Sequence, residues 1–278
     1  MRNWIACISF FFVLGLYSFP NRVLAGNFVE TAGKGKIDWS NRIIEAVGVG
    51  GPPKNPINLA QARAMAKKAA ITAAQQNLLE TVRNMRIDSK TLVKDFVSQG
   101  DPVHREFEGF IQYPNIVDIS YLSSGEVQVT VAVKLTGPFA DMLLPKAIRD
   151  IQPVKQPKIP DKGKGTAYTG LVLDCRGLKV MPAIAPRILD EDGNEVYGAK
   201  YVNRGYAVEQ GMAGYTTDLE GPPRNLRVGK SPITVKAIRA AKSGPSDIVI
   251  SISDADLIRR DPRNLRFLQE CRVMIVLN

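Results

Sequence analysis

The sequence predicts a mixed α+β protein of two domains. Three observations lead to this fold class: a long alanine-rich segment without glycine or proline, a hairpin with strict alternation of apolar and polar residues, and a carboxy-terminal region of short strand-like runs separated by turn signals. We expect an amino-terminal domain in which a long Ala-rich helix packs on a small antiparallel sheet. A β-rich α+β domain is expected to follow it.

The first domain, residues 34–150, begins with strand material from Ile37 to Val49 and continues into a long helix. Asn58 is the predicted N-cap, and the following segment to about Arg86 is rich in strong helix formers. Small or apolar residues recur there at helical spacing: Ala62, Ala66, Ala69, Ala73, Leu78, Leu79 and Val82. Because methyl groups allow close approach, we expect this face to lie flat against a sheet, although such a stripe is also seen at helix-dimer seams.

A hairpin is the clearest local pattern of the first domain. Ser123, Ser124 and Gly125 form its turn. The apolar face is predicted to comprise Val117, Ile119 and Tyr121 before the turn, and Val127, Val129, Val131, Val133 and Leu135 after it. Period-two alternation is typical of a sheet with one solvated face. Short helices are expected at Ser89 to Val97, before this hairpin, and at Pro138 to Ile148, after it.

Residues 151–165 separate the two domains. This stretch, IQPVKQPKIPDKGKG, is basic and rich in proline, so it predicts an extended linker between independently folding domains with modest contact. The second domain, residues 166–278, is expected to contain the following elements. They are a first strand at Tyr168 to Cys175, a hairpin around Asp190 to Asn194, a second hairpin joining Ile233–Ile238 to Ile248–Ile252 through Ser243–Ser246, a helix capped by Ser253 and Asp256, and a final strand at Cys271 to Leu277.

The first 25 residues have the parts of a secretory signal peptide. Arg2 precedes an apolar run that is too short for a comfortable membrane span, and the run is followed by Val23-Leu24-Ala25 before Gly26. Cys7 lies inside the run, too early for lipid attachment, so we expect a periplasmic protein that is not lipidated. An uncleaved amino-terminal anchor is the alternative. Cleavage removes Arg2 and Arg22 and lowers the net charge from +10 to +8.

Candidate catalytic and metal-binding residues are few. His104 is the single histidine and has no ligand at metal-binding spacing, so it predicts a surface residue. Asp190, Glu191 and Asp192 form the densest acidic cluster, at a predicted turn tip where solvation explains them; a weak calcium site is the alternative. The run Gly229-Lys230-Ser231 resembles a phosphate loop but lacks the first glycine that the motif requires. These patterns predict a protein without enzymatic activity, cofactor or metal.

Cys175 and Cys271 are the one pair of residues with testable chemistry. Both fall on the apolar face of predicted strands, in phase with Leu171 and Leu173 and with Val273 and Ile275, respectively. We expect the first and last strands of the second domain to be adjacent. An oxidising compartment permits a Cys175–Cys271 disulfide, whereas the competing interpretation is two buried free thiols.

A family resemblance is carried by the order of motifs in the first domain. A glycine-rich strand end precedes AQARAMAKKAAITAAQQNLLETV (Ala60 to Val82), and the hairpin ends in VQVTVAVKLTG (Val127 to Gly137). This order resembles the amino-terminal domain of flagellar assembly protein T and LPP-type bacterial envelope lipoproteins. The resemblance implies a non-catalytic role in envelope or flagellar-motor assembly, through contacts with other envelope or flagellar-motor proteins. Because the chain is basic, a module that binds an anionic envelope polymer or anionic lipid is the alternative; nucleic acid is not expected as a partner.

Overall fold

The fold is described from a computed structural model for residues 26–96, 102–148, 168–220 and 226–278. In the second of these ranges, side chains are described from residue 106 onward. The predicted leader (1–25) and linker (151–165), and the side chain of His104, lie outside the described residues. Among the described residues, no helix has both the length and the hydropathy needed to cross a membrane.

The amino-terminal unit is a five-stranded antiparallel sheet covered by a long helix. Its elements, in chain order, are β1 (Val29–Ala32), β2 (Gly35–Asp38), β3 (Ile43–Gly50), α1 (Leu59–Arg83), α2 (Val93–Phe96), α3 (Pro102–Gln112), β4 (Asn115–Tyr121), β5 (Val127–Lys134) and α4 (Pro138–Leu143). The strand order is β1-β2-β3-β5-β4. The expected packing of an Ala-rich helix on a small antiparallel sheet is therefore confirmed. The prediction missed α3, and both α2 and α4 are shorter than expected.

The start of α1 follows from its cap. The Asn58 side chain accepts a hydrogen bond from the Gln61 amide (2.8 Å), and Gln61 Oε1 accepts one from the Ile57 amide (2.7 Å). Two amide groups that lack intrahelical partners are thus satisfied, as the predicted N-cap requires.

The buried face of α1 differs from the predicted one. It follows i, i+4 spacing, through Ala62, Ala66, Ala70, Ala74 and Leu78. Ala69 is exposed and Ala73 only partly buried, so neither belongs to the buried row as predicted, although the Ala69 Cβ still lies close to Gly50 of β3. The reason is that Gly48 and Gly50 of β3 lie directly beneath the helix backbone, and the row of alanines spaced by four passes over them.

The hairpin prediction is confirmed for β5 and corrected for β4. Val127, Val129, Val131, Val133 and Leu135 are all buried. In β4, Ile116 pairs with Val131 and Asp118 pairs with Thr130, so Val117 is the extra residue of a β-bulge. The predicted alternation of Val117 with Ile119 and Tyr121 is wrong because the bulge shifts the phase of the strand.

The carboxy-terminal unit contains two four-stranded sheets. Its elements are β6 (Leu171–Asp174), β7 (Arg187–Leu189), β8 (Glu195–Tyr197), α5 (Arg204–Gln210), β9 (Gly214–Thr216), β10 (Ile233–Lys236), β11 (Arg239–Ala241), β12 (Gly244–Val249), α6 (Ile252–Arg260), α7 (Asn264–Gln269) and β13 (Val273–Val276). The sheet β10-β6-β13-β9 is parallel throughout, whereas β11-β12-β7-β8 is mixed.

Two local predictions for this unit need correction. The predicted strand at Ile233–Ile238 corresponds to β10, which ends at Lys236 and lies in the other sheet. The antiparallel partner of β12 is instead β11, which follows the predicted strand, and β12 begins at Gly244 inside the predicted turn. The α6 cap is Ser251, whose Oγ accepts from the Asp254 amide at 3.0 Å. The capping pair therefore lies two residues before the predicted one. The hairpin of β7 and β8 occurs where it was predicted.

The two units share one hydrophobic core, contrary to the expected modest contact. Trp39 of the first unit packs edge-on against Tyr215 of the second, with ring centroids 5.6 Å apart, and both belong to the same buried cluster. Backbone bonds also cross the boundary: the Ala185 amide donates to the Ile87 carbonyl (2.7 Å), and the Ile184 amide donates to the Arg86 carbonyl (3.1 Å). The linker alone could not indicate this contact, because the apolar faces that meet come from elements far apart in the chain.

Candidate functional site

A cleft of about 450 Å³ opens at the boundary between the two units. One wall is the β2–β3 turn with Asn41 and Arg42, and the opposite wall carries Arg227 and Met274 of the second unit. Asn27 lies on the same surface. Two arginines therefore face one concave region, although sequence reasoning singled out neither, because their approach depends on how the units pack.

Arg227 forms the rigid wall of the cleft. Its side chain is only 9% exposed, and its guanidinium donates to the carbonyls of Val273 (2.9 Å), Gln210 (2.6 Å) and Gly211 (2.5 Å). These bonds tie the end of α5 to β13. Burial lowers the pKa of Arg227 to about 10, so the guanidinium remains charged at neutral pH.

Arg42 is the second cation of the cleft and is held differently. Its backbone has a positive φ of 56°, which non-glycine residues rarely adopt, and its carbonyl accepts a hydrogen bond from the Leu135 amide (2.8 Å). The side chain passes beside Gly211, and Nε is buried without a hydrogen-bond partner in the described part of the chain. Burial lowers the pKa of Arg42. The structure thus leaves a buried charged donor unsatisfied at this place.

Most neutral polar groups around the cleft serve the fold. Ser40 Oγ accepts from the Phe28 amide (2.7 Å) and donates to the Tyr215 carbonyl (2.7 Å). Thr216 Oγ1 donates to the Gly26 carbonyl (2.7 Å), and Asn41 Nδ2 donates to Asp38 (2.8 Å). These bonds fix the walls, so a ligand would be recognised chiefly by the cationic groups.

A second feature is a shallow basic pocket on the amino-terminal unit. It has a volume of about 340 Å³ and is lined by Arg63, Ala64 and Lys67 of α1 and by Tyr121 of β4. β4 is an edge strand of the sheet, and several large apolar side chains are exposed on it or next to it. These are Tyr113, Ile116, Val117, Tyr121 and Leu122.

The cysteines are both buried but do not lie at a bonding distance, and Cys271 lies in a turn with a positive φ of 54° rather than in the predicted strand. β6 and β13 are adjacent, as expected, and both cysteines are buried in the shared core as free thiols. The strands are parallel; Cys175 follows the end of β6, whereas Cys271 precedes the start of β13. The two cysteines therefore lie beyond opposite ends of this strand pair. The length of the four-residue strand β13 alone, about 10 Å, separates them along the strand direction. This separation exceeds the Cα distance of about 7 Å that a disulfide allows, so the suggested disulfide does not fit the structure.

The acidic cluster Asp190–Asp192 is divided by the fold. Asp190 is buried and pairs with Arg259 at 2.9 Å, so its predicted solvation at a turn tip is wrong. Asp190 Oδ1 also accepts from the Asn194 amide at 2.8 Å. Glu191 and Asp192 are exposed. Within the described ranges, no group of three or more His, Cys, Asp or Glu side chains is placed to hold a metal ion.

The glycine-lysine-serine run serves a turn. Gly229 has a positive φ of 73°, and the Ser231 amide donates to Thr169 Oγ1 at 2.9 Å. The amide that a phosphate loop would direct at its ligand is therefore bonded within the protein.

Comparison with known families concerns the carboxy-terminal unit. Residues 170–278 match a family described as the second domain of Treponema pallidum Tp0624. The match begins one residue before β6 and includes both sheets of this unit, together with Arg227. No curated protein matches the chain.

Proposed function

We propose that the protein is a non-enzymatic scaffold or assembly factor of the bacterial periplasm that works through protein–protein contact. The leader-like first 25 residues support export, and the motif order of the first domain supports partners among envelope or flagellar-motor proteins. The structural observation that carries the proposal is the exposed edge strand β4.

The free edge of β4 is suited to strand addition. The Leu122 amide bonds to the Glu126 carbonyl (2.9 Å), and bonded and non-bonded pairs alternate along an antiparallel ladder. The register Tyr121–Val127 and Ile119–Val129 therefore directs the amides of Tyr121 and Ile119 away from β5. An extended segment of a partner protein would accept these hydrogen bonds and cover the exposed apolar side chains.

A photo-crosslinking residue at position 117 tests this proposal in intact envelopes. Val117 is 54% exposed and lies on β4, whereas Val29 is 48% exposed and lies on β1, at the opposite edge of the same sheet. We expect an adduct of one discrete mass from position 117 and none from position 29. Equal yields at both positions, or no adduct at either, would contradict contact through β4.

A matched pair of substitutions isolates the backbone contribution. Tyr121→Pro removes an outward amide without removing a bond to β5, whereas Tyr121→Thr keeps the amide and removes the same ring. We expect the proline variant to lose the adduct at position 117 and the threonine variant to retain most of it. An undiminished adduct in the proline variant would count against strand addition.

The second candidate function is binding of an anionic envelope polymer or anionic lipid. The pocket of Arg63, Lys67 and Tyr121 and the net charge of +8 that remains after cleavage of the leader favour it. Such binding should weaken steeply with salt, whereas an apolar strand interface should not. Sedimentation with anionic vesicles at low and high salt distinguishes the two, and a joint Arg63→Gln and Lys67→Gln variant should then reduce vesicle binding only.

A further inference from the structure

We propose that the cleft between the two units is a binding site for a small oxyanion, a phosphate or carboxylate group, held by Arg42 beside the fixed charge of Arg227. The family match of the second unit names no ligand. The site is distinct from β4 and from the Arg63–Lys67 pocket, since the two cavities share no lining residue.

The unsatisfied donor is the first step of the argument. Arg42 Nε is buried without an acceptor among the described residues, although a buried charged group ordinarily pairs or forms hydrogen bonds. The residue also adopts a positive φ, a conformation that glycine would adopt without strain. Strained backbone and an unpaired donor at one residue are typical of a functional position.

The charge of the cleft is the second step. No acidic side chain lines it in the part of the chain that the structure describes. Asp38, beside the β2–β3 turn, is bonded by both the amide and the side chain of Asn41. Arg227 is oriented by three carbonyls and adds a permanent positive charge near Arg42. A planar guanidinium matches the two oxygens of a carboxylate or phosphate group, so an oxyanion would supply the acceptor that Arg42 lacks.

Export would add a third cation. Gly26 lines the same cleft, and its carbonyl is held by Thr216 Oγ1 (2.7 Å) and by the Thr217 amide (2.9 Å). If the leader is removed before Gly26, as the proposed function assumes, the new α-ammonium group lies at the rim of the cleft. The mature protein should therefore bind the anion more tightly than a chain that retains residues 1–25.

Titration of the mature protein, residues 26–278, with inorganic phosphate or with acetate tests the site. Ionic strength is matched with chloride, and binding is read by calorimetry and by the thermal midpoint. We expect saturable binding of at least one probe, weakened at least tenfold by Arg42→Gln and unchanged by Arg83→Gln, which removes an exposed arginine of α1. The relative affinity of the two probes identifies whether the site prefers a phosphate or a carboxylate.

The Arg42→Lys variant controls for a possible folding defect of Arg42→Gln. It keeps the positive charge but replaces the planar guanidinium by an ammonium group without the Nε donor, so it should fold and still bind the better probe at least threefold more weakly. Absence of saturable binding to the mature protein, or equal affinity in the Arg42 variants, would overturn the proposal. Crosslinking at position 117 does not depend on this cleft. The titration and the crosslinking experiment therefore test the two proposals independently.

Discussion

At the scale of single residues, Gly48 makes the closest backbone approach to α1. A Cβ at this position would lie 2.1 Å from the Ala74 nitrogen and 2.3 Å from the Ala70 oxygen, so the obstacle is backbone and not a flexible side chain. Gly48→Ala should therefore lower the free energy of unfolding by about 3 kcal/mol, the upper end of the usual cost of overpacking. Urea denaturation measures this change.

Gly51 provides the matched control for that substitution. A Cβ there would meet no atom within 4 Å, so Gly51→Ala should change stability by less than about 0.5 kcal/mol. If both variants were equally stable, α1 could not lie on β3 at the distance described.

The two cysteines should behave as buried thiols. Burial raises the pKa of Cys175 to about 12 and that of Cys271 to about 11, so almost no thiolate forms at neutral pH. We expect the folded mature protein to resist a thiol reagent and the unfolded, unreduced protein to react at two sites. If neither cysteine of the unfolded, unreduced protein reacted with the reagent, the two would form a disulfide and the strands would be arranged differently.

These residues also show what sequence can reveal at this scale. The burial of Cys175 beyond the end of β6 followed from alternation, which is local, whereas Cys271 lies in a turn with a positive φ of 54° and not in the strand that alternation predicted; both belong to the shared core. Their separation depends on the parallel direction of β6 and β13, which alternation does not encode. Arg42 and Arg227 were missed for the same reason, because neither belongs to a local motif and only tertiary packing brings them to one cleft.

At the scale of elements, the Asp190–Arg259 pair fastens the β7–β8 turn to α6. Desolvation raises the pKa of Asp190, but the bonds from Arg259 and Asn194 outweigh it, so the pKa lies below its ordinary value. The carboxylate therefore contributes stability that is present above about pH 4 and is lost as the pH falls through the lowered pKa.

Asp190→Asn tests that contribution. The variant should be less stable by about 1–2 kcal/mol at pH 7, because Arg259 is partly exposed and solvent replaces some of the interaction. Its stability should also fall less than that of the parent protein between pH 5 and pH 2. Asp192→Asn, an exposed position in the same turn, is the control; an equal effect of both substitutions would show that the buried pair is unimportant.

Elements with strong local signals were predicted well. The capped α1 and the β4–β5 hairpin follow from side-chain periodicity and turn residues, which act over a few positions. The pairing of β10 with β6, about sixty residues earlier, was not predictable in this way, because local periodicity does not identify a partner strand. The bulge at Val117 likewise depends on the partner strand.

At the scale of the whole molecule, the continuous core predicts that the two units unfold together. This differs from the independent folding that the proline-rich linker suggested. Trp39 sits at the boundary against Tyr215, and removal of the leader takes away Trp4, the other tryptophan. Trp39 fluorescence in the mature protein therefore reports directly on the contact between the units.

We expect Trp39 fluorescence and far-ultraviolet circular dichroism to give coincident urea transitions, as a single cooperative unit requires. Trp39→Ala should lower the free energy of unfolding by about 3–5 kcal/mol, because it removes a buried aromatic ring from the boundary. Residues 26–148 and 168–278 expressed apart should each unfold at lower urea than the joined chain, since separation exposes their shared apolar surface. Fragments as stable as the whole, or a fluorescence change that precedes loss of secondary structure, would instead establish two independent domains.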